Sequence, residues 1–100
     1  PALQPLNEQQ IAARILATIV NEAASAVEEG VATPDAIDVA MRLGMNYPSG
    51  PLEWGERIGL SHVVHTLDAL HASVPDGRYR VVPLLRGLAE SGDSFFPQPE

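Results

Sequence analysis

Residues 21–59 read NEAASAVEEGVATPDAIDVAMRLGMNYPSGPLEWGERIG. Within them one helix ends, a second starts and stops, and a third begins. Gly30 stands where a left-handed residue closes a helix. Thr33 is placed as an N-cap, Pro34 takes the first helical position, and Asp35 sits at the positive end of the helix dipole. Ile37, Ala40 and Met41 then recur at i, i+3, i+4, the spacing of an inward-facing stripe. Gly44 is expected to end this helix, near Leu43, in left-handed backbone. Asn46, Tyr47, Pro48, Ser49, Gly50 and Pro51 form a loop that two prolines stiffen, since each restricts its own backbone and that of the residue before it. A third helix is expected over 51–58, and Gly59 permits a bend.

Upstream, the apolar pattern predicts a long first helix over 8–29, about 33 Å at 1.5 Å per residue. Asn7 and Gln10 have capping-box spacing, with Leu6 and Ile11 placed as a hydrophobic staple. The polar residues of this helix form a narrow stripe: Arg14, Thr18, Asn21, Glu22 and Ser25. Nearly everything else is Ala, Ile, Leu or Val, so the apolar surface is wider than the ~100° stripe of an ordinary surface helix. Two readings fit. The helix is surrounded by its own domain, or it turns one face to its core and another to a partner. For the second reading the candidate interface is Ala12, Leu16, Ile19, Val20, Ala23 and Val27, with further alanines at 13, 17, 24 and 26 allowing close backbone approach.

Downstream, Ser61 is expected to cap a fourth helix reaching about Ser73, with Val64, Leu67, Leu70 and Val74 as its stripe. Pro75-Asp76-Gly77 reads as a turn. The extended run 79–82 is too short to promote to a strand. A last helix is expected over 84–90, closed by Gly92, after which Phe95 and Phe96 suit either a docked tail or a frayed end. No period-2 run of useful length occurs, so the fold class is all-α, with about five helices around one long central helix. The organisation is a lead-in (1–7), one helical domain (8–92) and a tail (93–100).

Composition narrows the function. The chain has 100 residues, a net charge of −7, six basic residues, all arginine, and no cysteine. Scattered arginines on an acidic domain give no electrostatic footprint for nucleic acid and no attraction to anionic lipid. Without cysteine there are no disulfides, no thiolate catalysis and no Cys-ligated metal. No apolar run approaches the roughly 20 residues of a membrane span, and no signal peptide is legible. The expected location is cytoplasmic. A start at Pro1 without an initiator Met suggests a piece of a longer protein.

Few residues invite chemistry. No glycine-rich turn follows a strand, so no dinucleotide fingerprint is present. His62, His65, Asp68 and His71 share helical spacing, but Val64, Leu67 and Leu70 take the buried face, which leaves the histidines as solvated side chains rather than metal ligands. Glu53 and Glu56 read as acids favouring a helix N-terminus rather than a general acid/base pair. Trp54 suits the core or, with Tyr47 and Pro48, a pocket wall. Arg42, Arg57 and Arg86 suit surface ion pairs better than phosphate contacts.

The segments EEGVATPDAIDVAMRLG (28–44) and NYPSGPLEWGERIGL (46–60), and more weakly RYRVVPLLRGLAESG (78–92), resemble the C-terminal domain of the 3-hydroxyacyl-CoA dehydrogenases. The resemblance implies an all-α fold of the 6-phosphogluconate dehydrogenase C-terminal type. It also implies a parent enzyme that oxidises a 3-hydroxyacyl-CoA to the 3-ketoacyl-CoA with NAD, held by an N-terminal nicotinamide domain. The helical domain of such enzymes serves dimerisation and closes one side of the acyl-binding cleft. The family's catalytic histidine and glutamate belong to the nicotinamide domain. One further polar residue, an asparagine in an Asn-Arg pair on the long helix, aligns with Ala13-Arg14 here. Its loss resembles the second helical copy of two-copy members, of the bacterial 3-hydroxybutyryl- and 3-hydroxyadipyl-CoA type. The resemblance therefore implies no catalytic, cofactor-binding or metal-binding residue in this chain. The loop 46–51 and Trp54 are candidate cleft or interface residues, and the expected partner is a second copy or a second helical copy of the parent. Acyl-CoA is met only through the parent. The alternative is a free-standing helical interaction module without catalysis.

Overall fold

In the computed structural model, residues 7–46, 49–75 and 77–96 are described. Five helices follow one another: α1 (Glu8–Glu28), α2 (Pro34–Met45), α3 (Pro51–Ile58), α4 (Leu60–Ser73) and α5 (Pro83–Ser91). All regular elements among the described residues are helices, which makes the domain all-α as expected. Leu6, Tyr47, Pro48 and Asp76, on which parts of the sequence reading rest, lie outside the described residues.

The caps of α1 follow from its flanking residues. Asn7 Oδ1 accepts from Gln10 N at 2.8 Å while Asn7 N donates to Gln10 Oε1 at 3.0 Å, a complete capping box. At the other end Gly30 has φ 75°. Val31 N donates to Ala26 O at 2.9 Å and Gly30 N to Val27 O at 3.0 Å, the pair of bonds that closes a Schellman motif.

α2 begins as expected, with Thr33 Oγ1 accepting from Ala36 N at 3.2 Å. Its end differs from expectation. The helix runs through Gly44 to Met45, and the left-handed residue is Asn46, at φ 56°. Asparagine also tolerates this backbone, because its short polar side chain can bond locally. Gly44 is an ordinary helical residue, so a β-branched side chain there is not barred by positive φ. The inward face of α2 also differs. Ala40 is exposed, Ile37 and Met41 are half-buried, and Asp38 is buried.

The core lies where α1, α3, α4 and α5 meet. Val20, Ala24, Leu52, Val63, Leu67 and Leu85 are all at 0% exposure. Removing each Val or Leu side chain from water contributes about 1.5–3 kcal/mol. α1 and α3 approach closely at Gly55, where an added Cβ would lie 3.2 Å from Val20 Cγ1. Gly59, at φ 101°, makes the bend between α3 and α4. α4 starts at Leu60 on that bend, with no side-chain cap, and Ser61 Oγ instead donates to Ala89 O of α5. Along α4 the buried residues are Leu60, Val63, Val64 and Leu67, while Leu70 is half-buried and Val74 is exposed. The tail is docked: Phe95 is buried and Phe96 packs against the core.

Candidate functional site

Two regions of the fold carry the functional expectations: the loop joining α2 to α3, and the exposed face of α1.

α3 starts with Gly50 as N-cap and Pro51 at the first helical position. Glycine offers no side chain to accept the first free N–H groups of a helix. Asp38, twelve residues earlier on α2, supplies the missing acceptor. Its Oδ1 accepts from Leu52 N at 2.9 Å and its Oδ2 from Glu53 N at 2.8 Å. The carboxylate thus caps α3 in place of a local side chain. The fit leaves no room for another residue at position 50, where a Cβ would lie 2.2 Å from Asp38 Cγ. Burial pushes the Asp38 carboxyl above its ordinary value, the two backbone N–H groups oppose that shift, and the charges of Glu53 and Asp35 add to it.

Of the expected loop residues, Asn46 is exposed, Ser49 is half-buried, and Gly50 and Pro51 are buried. Tyr47 and Pro48 lie outside the described residues. Trp54 is half-buried against the core, one turn into α3. Between α2, α3 and the tail opens a cleft of about 390 Å³, lined by Asp35, Asp38 and Arg42 of α2, Glu53 and Glu56 of α3, and Phe96 of the tail, among others. Glu56 forms the tail's anchor: it accepts from Phe95 N at 2.8 Å and from the Ser94 hydroxyl.

The same device recurs on α1. Asn21, buried at 5% exposure, donates from Nδ2 to Arg80 O at 2.9 Å and accepts from Val82 N at Oδ1 at 3.0 Å. It holds the extended approach to α5 by imitating a backbone partner. One helical stretch further, Glu28 Oε2 accepts from Leu84 N at 2.7 Å and caps α5, whose own N-cap is Val82. Asp38, Glu28, Glu56 and Asn21 therefore each tie down a segment that its neighbours in sequence leave unsatisfied. The sequence reading missed these roles. A signal was present for two of them: helices that open Gly-Pro or Val-Pro have no capping side chain of their own, so an acceptor must come from elsewhere.

On α1, the expected interface residues divide. Val20 is at 0% exposure and Ala23 at 7%, both spent on the chain's own core, and Val27 packs half-buried against that core. Ala12 is exposed, and Leu16 and Ile19 are half-buried. Next to them Ile11 and Ile15 are 45% and 55% exposed. Ala13 lines a hollow with Gln10, Arg14, His65, Thr66, Ala69 and Leu70. On α4, Asp68 is committed to Arg86, which donates to its two oxygens at 2.7 and 3.3 Å. His62 and His65 are exposed on the same helix. Among the described residues no helix is long and apolar enough to cross a membrane.

Comparison with known proteins agrees with this architecture. Residues 11–94 match the family model described as the 3-hydroxyacyl-CoA dehydrogenase C-terminal domain. The chain is 46% identical over 79 residues to a probable 3-hydroxybutyryl-CoA dehydrogenase of Bacillus subtilis, covering 79% of this chain and 28% of that protein. It is 47% identical over 81 residues to the 3-hydroxyadipyl-CoA dehydrogenase of Escherichia coli, covering 79% of this chain and 17% of that protein. The crystal structure of (S)-3-hydroxybutyryl-CoA dehydrogenase from Ralstonia eutropha superposes with a TM-score of 0.80 at 32% identity, covering 87% of this chain and 33% of that one. The chain thus spans less than a third of the length of the Bacillus and Escherichia relatives. By sequence and by fold, it belongs to the family of 3-hydroxyacyl-CoA dehydrogenase C-terminal domains.

Proposed function

We propose that this chain is the assembly domain of an NAD-dependent oxidoreductase that converts a short-chain 3-hydroxyacyl-CoA to the 3-ketoacyl-CoA. The observation that carries the reading is the combination of family membership with a long helix whose first half turns isoleucines to solvent. The domain itself does no chemistry. Ala13 offers no polar group where the family has its asparagine, so a preceding helical copy retains that residue and this chain is the second copy. NAD is held by the parent's nicotinamide domain, and acyl-CoA reaches this domain only through the cleft that the parent completes. The loop 46–51, which leads into the α3 start that Asp38 caps, faces that cleft or the first copy. The partner of the α1 face is another helical domain of the same kind. The substrate is a short acyl chain, the class named in the relatives called 3-hydroxybutyryl-CoA dehydrogenase, and the parent enzyme works in the cytoplasm.

The test is the complete reading frame. It is expected to encode a glycine-rich strand–turn–helix upstream and a first helical copy bearing an asparagine at the position matching Ala13. The expressed full protein should oxidise 3-hydroxybutyryl-CoA with NAD, while residues 1–100 alone show no NADH binding by calorimetry. A reading frame without the nicotinamide segment overturns the dehydrogenase assignment in favour of a free-standing interaction module.

A further inference from the structure

Residues 93–96 leave α5 at Gly92, whose φ of 77° is left-handed, and cross to α3. Among the described residues α3 and α5 make no direct backbone contact, so this crossing is what joins them. Its polar ties converge on one side chain. Glu56, half-buried on α3, accepts from the Ser94 hydroxyl at one oxygen and from Phe95 N at the other, 2.8 Å away. Ser94 Oγ accepts in turn from Phe96 N at 2.8 Å. The apolar anchorage is uneven, with Phe95 buried and Phe96 only half-buried. Two hollows border the crossing. One is the cleft of about 390 Å³ described above, with Ser94 and Phe96 in its wall. The other, of about 280 Å³, lies between the α3–α4 bend and α5, and its wall includes Gly59, Leu60, Leu88 and Ala89. Glu56 and Ser94 belong to both walls. The family match ends at residue 94, so Phe95 and Phe96 lie past its reach.

We infer that residues 93–96 form a clasp, latched by Glu56, that opens as a unit on Gly92 while the five helices stay folded, and so governs access to a groove along α3. A segment with one buried anchor and part-exposed hydrogen bonds opens at lower cost than the core does. Here the polar bonds holding it to α3 share a single acceptor residue, so losing that residue's grip loosens the whole crossing at once. With the clasp lifted, the two hollows lose the partition they share and run together, and the seat of Phe95 is bared. The latch is specific in its chemistry. It needs a hydrogen-bond donor at position 94 and a pair of acceptors at position 56. An anionic group at position 94 would instead face Glu56 with like charge. The inference rests on the fold alone and stands apart from the assembly reading above.

Amide hydrogen exchange on the 100-residue chain tests it. In the wild type, Phe95 and Phe96 N–H should exchange faster than Leu67 N–H in the core. Ser94→Asp should speed exchange at Phe95 and Phe96 about tenfold or more, as expected for loss of a hydrogen bond to a charged group, and leave Leu67 unchanged. Adding Glu56→Gln to Ser94→Asp should slow it again, because the amide can donate to the new carboxylate while its oxygen still accepts from Phe95 N. The chain has no cysteine, so Ala89→Cys reports on the groove: its labelling by a thiol reagent should speed up with Ser94→Asp and slow again in the background that also carries Glu56→Gln. Exchange at Phe95 that keeps step with Leu67, in the wild type or in Ser94→Asp, makes the tail part of the core and overturns the clasp. Absence of rescue by Glu56→Gln removes Glu56 as the latch. Faster exchange at Phe95 with unchanged labelling at position 89 overturns the control of the groove.

Discussion

The two halves of α1 are both rich in apolar residues and spend them differently. Residues 8–19 present Ile11, Ala12 and Ile15 to solvent and bury only Ala17. In residues 20–28, Val20, Asn21, Ala23 and Ala24 are buried. Hydropathy does not separate them, since both halves are rich in Ala and β-branched apolar residues, Ile in the first and Val in the second. What separates them is where α3, α4 and α5 land. Gly55 brings α3 onto Val20, and Asn21 and Glu28 fasten the approach to α5. The second half is held by named polar contacts as well as by burial. The first half keeps apolar surface that its own domain does not cover. Helical pattern alone thus reports that a face is apolar, and not whose core it belongs to.

The largest effect that sharpens this contrast compares one charge placed in each half. Val20→Asp should destabilise the fold by about 3–5 kcal/mol, the cost of an unpaired buried charge plus lost packing. Ile15→Asp should stay within about 0.5 kcal/mol. Urea denaturation of both variants is the check, and equal losses would mean that the first half of α1 is also core.

The next comparison sets two glycines of neighbouring segments against each other. Gly50→Ala should cost about 2–4 kcal/mol, because the new Cβ displaces Asp38 and strips α3 of its cap. Gly44→Ala, where nothing lies within 4 Å of the added Cβ, should stabilise by about 0.5–1 kcal/mol as an ordinary helix-interior exchange. Thermal melting of the pair decides it. A loss at Gly44 would restore that residue as the helix stop.

Asn21→Ala should cost about 1–3 kcal/mol, since it leaves Arg80 C=O and Val82 N–H without their partner in a part-buried site. Amide exchange should show residue 82 opening ahead of the α1–α3 contact. Simultaneous opening of both would mean that Asn21 is not a separate fastening.

The smallest effect is a slope. Because burial holds the Asp38 carboxyl above its ordinary 3.8, the folded state takes up its proton at a higher pH than the unfolded chain does. The contribution of this group is therefore fully present below 3.8 and is lost as pH rises to the folded value. Asp38→Asn should flatten stability against pH just above 3.8. It should also lower stability at neutral pH, because an amide turns a donor toward one of the two N–H groups the carboxylate accepts from. A stability curve as steep as that of the wild type would assign the slope to other carboxylates.

Much of the local structure was legible in the sequence. Asn7 and Gln10, Thr33 and Pro34, Gly30, Gly59 and Gly92 set helix starts, stops and the bend, because caps and backbone preferences act within a few residues. The family was legible too, from residues 28–60, since elements agreeing in order and spacing exceed what a short motif carries. Gly44 misled because glycine is permissive and not obligatory at a helix end, and Asn46 took the left-handed position instead. Asp38 was invisible as a cap because its partners lie fourteen and fifteen residues away, across a loop whose path no local preference states. Glu28, Glu56 and Asn21 act over still longer separations, for the same reason. The sequence by itself determined the helices and the family. Only the tertiary structure decided which half of α1 is core, which carboxylates act as caps, and which apolar face remains for a partner. Those outcomes depend on distances between segments remote in sequence, and such distances exist only once the chain has packed.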